Sequence, residues 1–551
     1  MTTSRTAVSG SISVWMLAGL LVLAAAWIVP VNLKSLTPAL LKAAGEGTPT
    51  AARLGRQLLD REKSGPAALT LAAARTLGDP LAPALATALD NAAQRQPELV
   101  PWGGWDPFLD PLFNLKENTG RTTSTPVLTF FITEKARANL AGYLVNSRSQ
   151  GVQTILRVRD VSRADRFIPA KKAGGQTLDA VVLLTALLYQ GEHMPAALQR
   201  ELRDLAETAT GADHLGALEP VFVDLLSLGK RLDWIQLTEL MRTTGSTKTI
   251  GEFAQLARAT PDDLPILYTA ALLDGSADRV ATYLLTYGRP GLDDLKLALS
   301  LGQGATSQLL ARQAPVNRQP APAFGPFTLA ALLYPKVALI AKYLGFLLGA
   351  FCVFRGLESL LFDDETDSAL PRLKSGFLAL LTAAMLVLGT EPFLLKTPDP
   401  SAFQLKLTIP VLSSISDPAS LTPTAPTFNM DTSTLISIAF FASLQLGMYL
   451  FCLAKIREIS RQDAPALLKL RLMENEENLF DGGLYIGIAG TATALVLQVL
   501  GVIQPNLLAA YSSNLFGICC VALIKIRHVR PYKRTLILAG QSESKTVIAT
   551  A

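Results

Sequence analysis

The sequence predicts a mainly α-helical fold: a six-span membrane protein carrying an extracytoplasmic helical-repeat domain, with a small strand–helix–strand α/β element inside that domain. Three observations carry the prediction. Two charge-free apolar runs, Gly482–Ile503 and Asn506–Ile524, are joined only by Gln504 and Pro505. Each reaches the roughly 20 residues needed to cross a bilayer core. Basic residues gather in alternate connectors between apolar runs, as they do in oriented membrane proteins. From Val31 to Lys336 no such run occurs; apolar residues recur there at helical spacing, interrupted by Gly and Pro.

Composition narrows the function classes. At 551 residues the chain exceeds one ordinary domain. Its net charge of +5 is diffuse. No dense Lys/Arg run is interleaved with aromatics, so nucleic acid is not an expected partner. The four cysteines, Cys352, Cys452, Cys519 and Cys520, fall in expected spans, which leaves the soluble region without a disulfide framework or a zinc spacing. The three histidines, His193, His214 and His528, are scattered and read as solvent-facing or capping. There is no nucleophile motif, phosphate loop or metal-ligand spacing. No metal or cofactor site is expected, and the chain is not read as an enzyme.

Residues 1–11 precede the first span, at 12–30. Ile12–Val29 has Arg5 before it and Trp15 and Trp27 near its edges, where aromatic belts sit. It reads as an anchor, with a cleaved signal peptide as the alternative. Residues 31–126 hold helical segments at Leu36–Ala44, Ala51–Glu62, Ala67–Leu77 and Leu81–Arg95. The loop Trp102–Phe113, WGGWDPFLDPLF, has two readings: a contact for a partner or the membrane edge, or a loop folded onto the domain surface. Residues 127–176 form the α/β element, with Val127–Thr133 and Val152–Arg159 as parallel strands around the helix Glu134–Ser147.

Residues 177–314 read as a helical repeat array. Helix starts near Glu219, Thr247, Ser276 and Gly304 are about 28 residues apart, with second helices from near Arg231, Pro261 and Leu292. The unit Leu264–Gly288 resembles an ankyrin-type repeat through Ala270-Ala271, Gly275 and Leu284-Leu285, although the usual start tetrapeptide is absent. Such arrays present a binding surface, so an unidentified envelope protein is the expected partner.

Residues 315–336, with Pro315, Pro320, Pro322 and Pro326, read as a semi-rigid linker. The five-span domain, 337–535, has spans at 337–354, 374–390, 433–454, 482–503 and 506–526, and 536–551 form a tail. Lys342 lies near enough to a span end to snorkel. The connector Pro392–Asp431 contains one alternating run, Phe403–Leu412, that reads as a short strand. Leu470–Phe480 reads as a solvated helix. Lys455, Arg457, Arg461, Lys469 and Arg471 follow the fourth span, and Lys525, Arg527, Arg530, Lys533 and Arg534 follow the sixth. The opposite connectors hold only Lys396 and Lys406. This places both termini in the cytosol and the large domain outside, in a bacterial inner membrane with a periplasmic domain.

The fifth span carries Gly487, Thr491, Ala494 and Gln498 on one helical stripe; the sixth carries Ala510, Ser513, Asn514 and Gly517 on another. Small residues let helices approach, and hydroxyl or amide groups bridge them. Two readings stay open: helix packing, or a polar pathway between subunits in which Thr491 and Asn514 hold water. GIAGTATAL (Gly487–Leu495), which includes Gly490, resembles the Gly-x-x-Gly-Thr-x-x-Gly-Leu signature of the MotA/TolQ/ExbB proton-channel family. Ala494 stands in place of a signature glycine, and Asn514 where the family usually has Thr. The resemblance implies a channel-like energiser subunit, a homo-oligomer through the last three spans, that works with a separate chain carrying a proton-accepting Asp. The alternative is a non-conducting, membrane-anchored envelope scaffold.

Overall fold

A computed structural model of the protein describes residues 3–115, 124–318, 324–361, 370–394, 432–499 and 507–550. It divides the chain into two compact units. Among the described residues, one is Pro38–Val316; the other takes in residues up to Thr37 and those from Asn317 onward.

The Pro38–Val316 unit is built from helices. Many of its helix starts have a local chemical cause, a side-chain oxygen that accepts an otherwise unpaired amide. Thr50 caps Ala51–Leu59, Ser246 caps Thr247–Ala259 and Ser276 caps Ala277–Leu301. Asp233 and Gln236 form a reciprocal capping box on Trp234–Arg242. Leu218–Gly229, Thr247–Ala259 and Ala277–Leu301 pack in succession, as do Trp234–Arg242, Leu264–Asp274 and Gln303–Arg312. Between the two halves of the Leu264–Gly288 segment, Gly275 adopts φ 73°, a left-handed turn open to glycine. Gln176–Gln190 runs through the core, apolar on nearly all sides, with Ala180 to Leu184 fully buried.

No strand forms among the described residues, so the strand–helix–strand element is overturned. Val127–Phe131 and Gln150–Arg157 are helices. The β-branched content of both segments favours strands, but their context does not. Pro126 and Ser149 stand at the two helix starts, and the Ser149 hydroxyl accepts from the Val152 amide. Val152, Ile155 and Leu156 then fall on one buried helical face while Arg157 stays outside. Phe403–Leu412 lies outside the described residues.

In the second unit, Thr3–Ile28 lies along Pro335–Leu361, which also packs on Leu370–Thr390. Glycines permit the first contact: a methyl at Gly19 would come within 2.8 Å of the Gly349 carbonyl oxygen, and one at Gly345 within 2.8 Å of Ala26. Ala26, Phe346 and Ala383 form the buried centre. A second group joins Thr432–Arg461, Gly482–Val499 and Leu507–Leu523. Its core includes Met448, Cys452, Ile456, Cys520 and Ile524, with Met473 and Phe480 from the segment expected to be solvated.

By length and composition, three described helices can cross a membrane, not six: Pro335–Leu357, Phe440–Arg461 and Tyr511–Gln541. Val14–Ile28 and Ser375–Thr390 are apolar but shorter than 18 residues, and Gly482–Val499 ends where the description ends. The last helix continues past the bilayer run through a π-helical segment, Ile524–Val529, into Arg530–Thr550. Residues five apart point about 140° away from each other on an α-helix. The wider turn brings Ile524 and Val529 to the same buried side, in register with Leu536.

Candidate functional site

The expected polar stripe comes together between Gly482–Val499 and Leu507–Leu523. A methyl at Gly517 would meet the Gly483 carbonyl oxygen at 2.6 Å, and one at Gly487 would meet the Ser513 carbonyl oxygen at 3.0 Å and the Asn514 Cα at 3.2 Å. Gly490 has Ser513 and Phe441 against it. Two hydroxyls turn to one acceptor: Thr491 Oγ1 donates to the Gly487 carbonyl at 2.9 Å, and buried Ser513 Oγ donates to it at 3.3 Å. Asn514 keeps its amide oxygen buried with no hydrogen bond among the described residues. The Gln498 side chain lies outside the described residues.

A third helix enters this seam through a residue absent from the expected set. Gln445, 4 % exposed, donates from Nε2 to the Gly483 carbonyl at 3.0 Å, while its Oε1 accepts nothing among the described residues. The Cys520 thiol reaches the Gln445 carbonyl oxygen at 3.6 Å. Its sequence signal is positional: Gln445 precedes Met448, Cys452, Ile456 and Ile459 on one helical face, so it belongs to the core stripe.

The second polar inclusion is charged, and the sequence does not announce it. Lys342 does not snorkel; it is 3 % exposed. Its Nζ donates to the Val31 carbonyl at 2.7 Å and to Asn32 Oδ1 at 2.9 Å. Asn32 in turn donates to Ser35 Oγ at 3.0 Å. Glu391 is fully buried and accepts the Leu33 amide on both oxygens at 2.9 Å, as well as the Tyr343 hydroxyl. Asn317 binds the Leu36 carbonyl through its amide at 2.8 Å and the Thr390 carbonyl through Nδ2 at 3.2 Å. The segments leading to and from the Pro38–Val316 unit are thus fastened to the ends of two apolar helices. Buried charges need such partners, because an unpaired ion in an apolar setting is costly.

In the Pro38–Val316 unit, the Trp102–Phe113 loop is more than a surface fold. Trp102 is 1 % exposed and stacks on Phe130 at 4.0 Å between centroids, and Phe113 stacks on Phe131 at 5.8 Å. Trp105 remains exposed. His193 is not solvent-facing: it is buried, with Nε2 3.4 Å from Asp106 Oδ2 and Nδ1 3.1 Å from Arg242 Nη2. Because the Arg242 guanidinium can only donate, Nδ1 is the acceptor and Nε2 carries the proton. Burial raises the Asp106 carboxyl, but contacts with His193 and Trp234 and the Phe108 amide outweigh it and hold it below its usual value. His214 sits 3.3 Å from Asp165, and His528 2.9 Å from the Tyr449 hydroxyl.

Asp233 is the contrasting carboxylate. It is buried against Gly65 and Gly103, where a methyl would collide with its oxygens. Oδ1 accepts the Gln236 amide at 2.8 Å and Oδ2 the Ser124 hydroxyl at 2.7 Å. No cation bonds to it among the described residues, and burial pushes it up to about 7 despite these donors and the Ile235 amide.

These groups link helices and loops. No protein-family model matches the chain, and neither a curated protein nor a solved structure matches it.

Proposed function

We propose that the chain is a membrane-integral interaction protein: apolar helices anchor it, and the Pro38–Val316 unit binds a protein partner on the side opposite the basic connectors. The C-terminal seam is a packing device. One observation carries this reading: Thr491 and Ser513 both spend their hydroxyls on the Gly487 carbonyl, across glycines too close for a side chain. Hydroxyls engaged with backbone in a closed seam are glue between helices. The basic connectors support a finer placement. The shorter apolar helices and the hairpin cross with the three longer ones, both termini lie in the cytosol of a bacterial cell, and the large unit is periplasmic. The succession of alternate helices from Leu218 to Arg312 supports a stacked array with a partner-binding face.

The channel-like energiser is the second reading, favoured by the unpartnered amide oxygens of Asn514 and Gln445 in the same bundle. Proton flux into proteoliposomes of the purified chain, with its oligomeric state in detergent, separates the two. The interaction-protein reading expects no flux above lipid alone and no change in Thr491→Ala or Asn514→Ala. A pentamer whose flux falls in both variants overturns it in favour of the channel. External labelling of cysteines introduced at Leu54 or Ala311, but not at Asn478, checks the sidedness.

A further inference from the structure

Two apolar helices carry the same tripeptide, Lys-Ile-Arg, where their apolar runs stop: Lys455-Ile456-Arg457 in Phe440–Arg461, and Lys525-Ile526-Arg527 in the last helix. In both copies the lysine turns into the protein. Lys455 lies 3.1 Å from Glu458 and 3.4 Å from Glu476, and Lys525 2.7 Å from Asp481. In both copies the arginine, two residues on and so on the far side of its helix, is exposed. Neither Arg457 nor Arg527 has an ion pair or side-chain hydrogen bond among the described residues, and the same holds for exposed Arg530. Glu458, Glu476 and Asp481 are already engaged by the lysines.

We propose that Arg457, Arg527 and Arg530 bind the phosphate groups of anionic phospholipids at the basic end of the bundle. The occupant follows from what precedes each arginine on its own face. Leu523 lies one turn before Arg527 and Ile526 one turn before Arg530, and both apolar side chains are exposed, 51 % and 65 %. Leu446 and Leu450, 59 % and 51 % exposed, lead in the same way to Arg457. A stripe that meets acyl chains therefore runs directly into guanidinium groups. Arg527 follows Ile524 within one turn and Arg530 within two, so a headgroup layer of about 5–8 Å lies within reach of both guanidinium groups, whereas Arg534 stands a further turn out. The guanidinium fork matches a phosphodiester with two donors. An anionic lipid leaves that phosphate uncompensated, whereas a zwitterionic one brings its own ammonium.

The proposal rests on the membrane-integral reading, and its test keeps the two apart. The purified full chain in neutral detergent is given equal phosphatidylglycerol and phosphatidylcholine of the same acyl chains, and retained lipid is counted by native mass spectrometry. Preferential retention of phosphatidylglycerol is expected, weakened about fivefold by each of Arg457→Gln, Arg527→Gln and Arg530→Gln. Arg534→Gln should leave retention unchanged, and Arg527→Lys should keep part of it. Unaltered melting temperatures show that the variants are folded; a variant that does not fold is replaced by its Lys counterpart. Equal retention of the two lipids by the parent overturns the proposal, as does a loss in Arg534→Gln equal to that in Arg527→Gln. Displacement of the lipid by inorganic phosphate also overturns it, because the site is then one for a free anion. Failure to co-float with vesicles of either lipid would instead remove the membrane-integral reading itself.

Discussion

The unit that carries the long apolar helices holds two polar inclusions that are opposites. Around Lys342 and Glu391 the groups are ionic, and both find partners in the chain: carbonyls, an amide side chain, a backbone N–H and a phenol. Around Gln445 and Asn514 the groups are neutral, yet each keeps an oxygen without a donor among the described residues. The difference teaches that charge in an apolar setting is tolerated when it is saturated, and that neutral amides are the cheaper groups to leave incomplete. The Pro38–Val316 unit repeats the contrast with a pair of aspartates. Asp106 has an imidazole and indole beside it and is held down; Asp233 has only amides and a hydroxyl and is pushed up.

The largest effect should come from breaking the saturated site. Lys342→Ala leaves the Val31 carbonyl and Asn32 without their donor and Glu391 without a nearby cation, so it should cost about 3–5 kcal/mol. A melting curve in detergent within a degree of the parent's would show that the cluster is ornamental. Next is Asp233. Its folded value is raised from 3.8 to about 7, so the stability it contributes is fully present below about pH 4 and lost as pH rises through about 7. That span corresponds to an order of 4 kcal/mol. Trp fluorescence of the full chain against pH should show the decline. Asp233→Asn, which keeps a capping oxygen, should flatten it. Asp106 has the opposite sign: its contribution is present at neutral pH and lost on acidification below its usual carboxylate range, and Asp106→Asn should remove that acid-side loss.

Smaller effects probe the neutral seam. Gly517→Ala drives a methyl into the Gly483 carbonyl and should lower stability by about 1–3 kcal/mol. Gln445→Leu removes an amide that is only half satisfied, so its cost should stay under about 1 kcal/mol or reverse sign. A loss as large as that of Lys342→Ala would mean that the two inclusions are equivalent and would end the contrast.

The close approach of the C-terminal hairpin was legible because glycine spacing on one stripe has few other uses; Gly487, Gly490 and Gly517 sit in contact with the facing helix. The main helix starts near Glu219, Thr247, Ser276 and Gly304 were legible from their recurrence along the chain. The charged cluster was not, because Lys342 meets Val31 and Glu391 meets Leu33, more than three hundred positions apart in the chain. Nothing local marks such a partner. Val127–Thr133 and Val152–Arg159 misled for another reason: β-branched content is a weak preference that burial and capping override.

The widened turn at Ile524–Val529 sets how the tail responds to changes in length. It already contains one residue more than an ordinary turn, so losing one there would restore a regular helix with Leu536 still facing inward. The same loss between Leu515 and Cys520 would swing everything beyond it by about 100° and carry Val529 and Leu536 out of the core. The segment acts as a vernier between the apolar and basic halves of the last helix, and evolution could lengthen or trim the chain at that point without re-aiming the tail.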